Sequence, residues 1–264
     1  MATSPFILVL NAAEGRLHII IARQEEDGGH TRLCAQDWHA PAQGAELLAP
    51  ALEGALQRLR IAPQDIGKIA VVRGPGSFTG LRLVLATASG LALATGALQT
   101  GLDYLPLLAA SALRAIPTSC AAPRHVWTLT HARRNLVHMQ GFLEQPDVPL
   151  ARHRICEVLA CSPDEAALYI KSAPASLILG SGLTRNRDFF AQALGASLLL
   201  PPSFDHPTAD ALLRAATDAT YSAAEPVPLY IRPADAIDNL EKIAASMGLD
   251  PEAARLRLHE LTTS

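Results

Sequence analysis

The first apolar residues run together as Phe6-Ile-Leu-Val-Leu-Asn-Ala-Ala13, a β-branched and large-chain run that predicts a buried strand. Glu14-Gly15 is turn chemistry, and Arg16 to Arg23 returns as a second strand. Strands joined this tightly must be antiparallel. Asp27-Gly-Gly29 marks another turn before a third predicted strand, Thr31 to Trp38. The chain therefore opens with a meander, not with a strand-helix-strand unit.

After Pro41 the period changes. Leu47, Leu48, Ala51, Leu52, Ala55, Leu56 and Leu59 recur at three- and four-residue spacing, which predicts a helix over 46–60 with one apolar stripe. A short buried strand, Ile66 to Val72, leads into Arg73-Gly-Pro-Gly-Ser-Phe-Thr-Gly80 and a helix over Leu81 to Thr95. Ala86, Ala88, Ser89, Gly90, Ala92 and Ala94 make that helix small-sided, fit for close approach by another helix. A strand over Ala97 to Leu102 and a helix over Leu105 to Ile116 complete an α/β lobe with a mixed sheet.

Beyond the Pro-rich stretch Pro117 to Pro123 the order repeats. His125 to His131 and Leu136 to Glu144 read as a hairpin, followed by a short strand within Arg154 to Leu159. Ser162-Pro-Asp-Glu165 is a helix start, with Ser as N-cap, Pro at N1 and an acid at N3. Strands over Ala175 to Leu179 and Ser197 to Leu200 alternate with helices over Thr184 to Leu194 and Thr208 to Tyr221. A last helix is expected from Ala234. The topology implies an internal duplication: residues 1–104 as one lobe, 105–233 as a second, and 234–264 as a terminal helix.

Composition narrows the class. The chain has 264 residues, 49% apolar, 18% charged and a net charge of -3, so it can fill a core and is not disordered. The longest clean apolar run, Phe6 to Leu10, is far short of the ~20 residues of a bilayer helix, and no signal-peptide pattern precedes it. A cytoplasmic protein without a membrane span is expected. Cys34, Cys120, Cys156 and Cys161 form no CxxC pair and read as reduced thiols.

Candidate chemistry concentrates in Gly74, Gly76, Ser77, Thr79, Gly80 and Arg82. Glycines permit close backbone approach, and free N–H groups at a helix start favour an anion or nucleotide phosphate. The competing reading, which the spacing favours, is a tight turn with Ser77 or Thr79 capping the helix. No Gly-Lys-Ser/Thr follows, so the turn is not a P-loop, and GxGxxxG after a meander is not a dinucleotide fingerprint. The nine histidines include no pair four apart. His131 and His138 could meet across a hairpin, although a solvated hairpin is favoured over a metal pair. No GxSxG elbow, catalytic constellation, metal site or cofactor is read from the chain. Arg124, Arg133, Arg134, Arg152 and Arg154, with neighbouring histidines, make one basic segment; with little aromatic interleaving, a solvated face is favoured over an RNA patch.

The run Val71-Val-Arg-Gly-Pro-Gly-Ser-Phe-Thr-Gly-Leu-Arg82, with Leu47-Leu-Ala-Pro50 before it, resembles the TsaB (YeaZ) family. Ala132-Arg-Arg134, Gly180-Ser-Gly182 and Pro228-Leu-Tyr-Ile-Arg232 follow in that family's order. The resemblance implies two actin-like (ASKHA, ribonuclease H-like) lobes, each a mixed sheet with flanking helices. It implies a non-catalytic, glycoprotease-like (peptidase M22-like) scaffold for tRNA threonylcarbamoyladenosine formation. Such a scaffold pairs with and activates a TsaD-like transferase, with a TsaE-like ATPase docking on the pair, forms a homodimer when the partner is absent, and contacts tRNA only indirectly. Carried over, the pairing surface falls on Leu48, Leu52, Ala55, Leu85, Ala88, Ser89 and Ala92. Three positions depart from the family pattern. Asn11 stands for an acid, Gly44-Ala45 for His-Ser, and His131 for the acid before Ala-Arg-Arg. The competing expectation is an independent enzyme of the same fold, a peptidase or an ATP-dependent kinase-like protein.

Overall fold

The computed structural model describes residues 4–26, 28–41, 43–116, 124–144, 154–173, 176–195, 199–231 and 250. The chain divides into two compact units, 1–229 and 230–264. Both sheets lie in the first unit; the helix expected from Ala234 falls outside the described residues, as do Cys120, Arg152 and the Pro117–Pro123 stretch.

The opening meander is β1 (Phe6–Asn11), β2 (Arg16–Gln24) and β3 (His30–His39), paired antiparallel. Helix α1 (Gly44–Leu59) leads to β4 (Ile66–Gly74), α2 (Phe78–Thr95), β5 (Leu98–Asp103) and α3 (Tyr104–Ala115). The sheet order is β3-β2-β1-β4-β5, with β4 parallel to both of its neighbours. Ile7, Leu8, Val9 and Leu10 are buried on both faces of the sheet. The reason is layering: α1 and α2 pack on β2, β1 and β4, whereas α3 and α7 (Ala209–Thr217) also pack on strands of this sheet.

The second sheet repeats the first. The hairpin β6 (His125–Arg133) and β7 (Leu136–Leu143) stands for β1–β2, and β8 (Leu159–Cys161) for β3. Strand β9 (Ser176–Leu179) runs parallel to β6, as β4 does to β1. A parallel bridge from Ile178 to Leu199 occupies the place of a fifth strand. Alternation assigns the faces: Val126, Phe142 and Leu179 join the core shared with α3 and α7, and Trp127, Leu129, Val137, Met139 and Ile178 form a second core. Helices α4 (Pro163–Lys171) and α6 (Arg187–Leu194) cover that second core through Ala166, Ile170 and Phe190. Two lobes, each a mixed sheet with flanking helices, are thus the architecture.

Three features differ from expectation. The helix expected over Thr184–Leu194 is two helices, α5 (Ser181–Arg185) and α6, broken at Asn186. The Asn186 amide donates to the Gly182 carbonyl at 2.8 Å, a side-chain bond that competes with the helical ladder. The strand expected over Arg154–Leu159 is a single bridge at Arg154 followed by β8. Finally, α2 is by length and composition apolar enough to cross a membrane, although its apolar residues form no long unbroken run. It lies instead along β4 and β1, burying Leu81, Val84, Leu85, Ala88 and Ala92.

Candidate functional site

In each lobe a hairpin turn meets a glycine turn, and the Ser181–Glu14 hydrogen bond joins the two. In the first lobe, Asn11 ends β1 with its side chain buried. Its Oδ1 accepts from the Ala13 N–H at 2.9 Å, and its amide donates to His18 Nδ1 at 3.0 Å. An amide nitrogen only donates, so Nδ1 of His18 is the acceptor and the neutral ring carries its proton on Nε2. That nitrogen lies 3.5 Å from Asp37, which takes a two-pronged bond from Arg16 at 2.6 and 2.8 Å. Asn11 therefore has work that an aspartate could not do, since an ionised carboxylate has no hydrogen to give.

The glycines of the Gly74–Gly80 turn serve approach to this hairpin. A Cβ on Gly76 would stand 2.8 Å from Ala13 Cβ, and one on Gly80 would stand 2.0 Å from the Ala12 carbonyl oxygen. Ser77 is the N-cap of α2, its hydroxyl accepting from the Gly80 N–H at 3.4 Å. Thr79 is exposed beside it, and the Arg82 guanidinium lies 3.9 Å over the Phe78 ring. The second lobe repeats the device. A Cβ on Gly180 would meet the Leu129 carbonyl oxygen at 2.2 Å, and one on Gly182 the Thr130 carbonyl oxygen at 2.9 Å.

Between the lobes, Ser181 accepts from the His131 N–H at 3.0 Å and donates to the Glu14 carboxylate. Thr184 donates to Asp205 at 2.7 Å, and the buried Tyr104 hydroxyl lies 3.1 Å from His206 Nδ1. Burial raises the Glu14 pKa, against the Ser181 hydrogen bond and the Arg185 charge, and burial also raises that of Asp205. His18 and His206 are both lowered to about 4, chiefly by burial. From the sequence Glu14 reads only as turn chemistry. What that reading lacked was the partner 167 positions away; the only signal was a Gly-x-Gly after the fourth strand of each lobe.

A pH dependence follows. His18 takes its proton near pH 4 in the fold and near 6.5 when unfolded, so its contribution is whole above about 6.5 and drains as the pH falls toward 4. From pH 7 to pH 5 this loss is about 2 kcal/mol for His18 alone. Glu14 and Asp205 run the other way: their contributions are present in acid and are lost as the pH rises through their elevated folded values. Thermal midpoints should fall from pH 7 to pH 5, with the fall reduced in His18→Gln. An equal fall in that variant would remove His18 from the account.

In the second lobe is a hollow of about 410 Å³, lined by His131, Arg133, Arg134, Asn135, Arg185 and Asn186. Arg124 does not join it. Its guanidinium holds Glu144 at 2.5 and 3.1 Å and the Ile116 carbonyl at 3.2 Å. Arg154 faces Glu157 at 3.3 Å. His131 and His138 do not meet either. Strand register sets His131 opposite Val137 and His138 opposite Thr130, so alternation sends the two rings to opposite faces.

The residues expected to form a helix interface need correction. Leu48, Leu52, Ala55, Leu85, Ala88 and Ala92 are all at most 8% exposed, and only Ser89 is half-buried. They are the inner stripe that seals α1 and α2 to the sheet, because the most regular apolar spacing marks the core side. The outward side of α2 carries Ala86, Gly90 and Leu93, the last 90% exposed, and that of α1 carries Ala49, Pro50 and Glu53.

The family model for TsaD, tRNA N6-adenosine threonylcarbamoyltransferase, matches residues 39–145, from the end of β3 past β7. The tRNA threonylcarbamoyladenosine biosynthesis protein TsaB of Bacillus subtilis (strain 168) is 36% identical over 106 residues, covering 36% of this chain and 42% of the relative. The protein of the same name from Escherichia coli (strain K12) is 29% identical over 108 residues, covering 41% and 44%. YeaZ from Pseudomonas aeruginosa superposes with a TM-score of 0.65 over 86% of this chain and 99% of its own, at 20% identity. A second structure, a protein with similarity to peptidase YEAZ from that organism, gives 0.67 over 86% and 100%, at 21% identity. In sequence the chain is similar to TsaB proteins over part of its length, and in fold it is similar to YeaZ. The matched segments span less than half the length of the two curated TsaB relatives. The family-model match contains the Gly74–Arg82 turn and both outward helix sides. Glu14, Ser181 and Arg185 lie outside it.

Proposed function

We propose that this protein is a non-catalytic pairing subunit in the cytoplasm, supporting formation of threonylcarbamoyladenosine in tRNA. In this reading a TsaD-like transferase is held and activated through α1 and α2, a TsaE-like ATPase joins the pair, and two copies of the chain pair through the same helices when the transferase is absent. The observation that carries the proposal is the uncovered side of α2. A helix so apolar leaves Leu93 90% exposed beside the small residues Ala86 and Gly90, a side suited to close packing against another helix. The names of the curated relatives supply the pathway.

Mixing the protein with the TsaD-like protein of its own organism and reading the mass by light scattering, with and without ATP, tests the proposal. A heterodimer replacing a homodimer is the expected result. No association by a folded chain would sink it and bring forward the enzyme reading, for which ATP·Mg binding and turnover would then be sought by calorimetry.

A further inference from the structure

The hollow at the tip of the β6–β7 hairpin is built from two distant stretches of chain. Arg133, Arg134 and Asn135 come from the hairpin turn, and Arg185 and Asn186 from the end of α5 and the start of α6. The turn itself is fixed by Asn135 in the left-handed region at φ 58. Three guanidiniums thus surround one open volume of about 410 Å³. Like charges gathered around one hollow repel each other, and an anion relieves that repulsion.

The lining defines the anion's chemistry. All six lining side chains are polar or charged, so an acyl chain finds no aliphatic wall to lie against. Guanidinium forks and amide N–H groups suit the oxygens of phosphate. No carboxylate forms an ion pair with Arg134 or Arg185 among the described residues, although Glu14 lies near enough to Arg185 to be stabilised by it. Elsewhere the basic segment is committed, Arg124 to Glu144 and Arg154 to Glu157. With a net charge of -3, any pull on a polyanion is local to this hollow.

We infer that the hollow formed by His131, Arg133, Arg134, Asn135, Arg185 and Asn186 binds backbone phosphates of RNA. Phosphate is the chemistry that RNA shares with free nucleotides, and the ATP and pyrophosphate arms of the test separate the two sources. The choice of tRNA as probe rests on the proposed function, and the contact it adds is direct where the family resemblance implied an indirect one.

The test measures binding of tRNA to the full chain by fluorescence anisotropy across a potassium chloride series. Wild type, an Arg134→Ala/Arg185→Ala double variant and the corresponding double Lys variant are compared, all checked for an unchanged thermal midpoint. Loss of two phosphate contacts should weaken binding about tenfold at low salt and reduce the slope of log K against log salt by about 2. The Lys pair should recover most of the slope, because charge is kept.

No tRNA binding by wild type, or an unchanged slope in the folded Ala variant, overturns the inference. So does ATP or pyrophosphate binding that the Ala pair abolishes while tRNA binding stays intact, since the site would then serve free nucleotides. Pairing with the TsaD-like protein is read separately by light scattering on the same samples. Normal pairing with no effect on RNA leaves the proposed function standing and removes this site. RNA binding through these arginines without any pairing does the reverse.

Discussion

Gly80→Ala is expected to destabilise the protein by about 3 kcal/mol or more, enough to unfold much of a marginal domain. Helix propensity alone points the other way, because Ala exceeds Gly by about 1 kcal/mol in a helix interior. The decisive term is steric. The new methyl would sit 2.0 Å from the Ala12 carbonyl oxygen, which is backbone and cannot rotate aside. Relief requires α2 to lift from the end of β1, where Leu81, Val84 and Leu85 hold it to the core. Gly90→Ala on the same helix is the control. Nothing lies within 4 Å of its added Cβ, so the propensity gain should appear as a stabilisation of up to about 1 kcal/mol. Urea unfolding midpoints of the two variants should therefore move in opposite directions. A Gly80→Ala protein within 0.5 kcal/mol of wild type would mean that the close approach of turn and hairpin is not as described. Gly180→Ala should behave like Gly80→Ala, since its Cβ meets the Leu129 carbonyl oxygen at 2.2 Å and its φ of 105 is one that L side chains rarely adopt.

The second large effect separates core from partner surface on α2. Ala88 has no exposed surface, so Ala88→Trp should fail to fold or lose several kcal/mol by overpacking. Gly90→Trp and Leu93→Arg alter the opposite side, where there is room, and should leave monomer stability within about 1 kcal/mol. If that side pairs with a TsaD-like helix, both should weaken association tenfold or more, the bulky ring by preventing close approach and the Arg by bringing a charge into an apolar contact. Sedimentation or light scattering against the partner, next to the unfolding midpoint, reads the two effects apart. Full pairing by folded Gly90→Trp and Leu93→Arg proteins would place the partner on another face.

Much of the fold was legible in the chain because local chemistry and tertiary demand agree. The Ser162-Pro-Asp-Glu165 start forms the expected box, with the Ser162 N–H to Glu165 at 2.8 Å and the Glu165 N–H to the Ser162 hydroxyl at 3.3 Å. The meander, the switch to helical period after Pro41 and the repeat of that order in the second half all read correctly for the same reason. The candidate site was less legible. Regular spacing identified Leu48, Leu52, Ala88 and Ala92 as important, but the same spacing marks the side that packs inward. Small residues cover most of α2, so the sequence offered no asymmetry from which to tell its two sides apart.

By itself, the sequence determined the element types, the duplicated α/β topology, the capped helix starts and the glycine turn that points to the TsaB family. These depend on period, on turn chemistry and on backbone freedom, all of which act over a few neighbouring residues. Only the tertiary structure decided which side of α2 is open, that Glu14 reaches Ser181 across 167 positions, and that Arg133, Arg134 and Arg185 share one hollow while Arg124 and Arg154 are held by acids. Each of those depends on the closing of one lobe on the other or of one element on another. Burial and charge proximity are properties of that packing, and no local pattern along the chain encodes them.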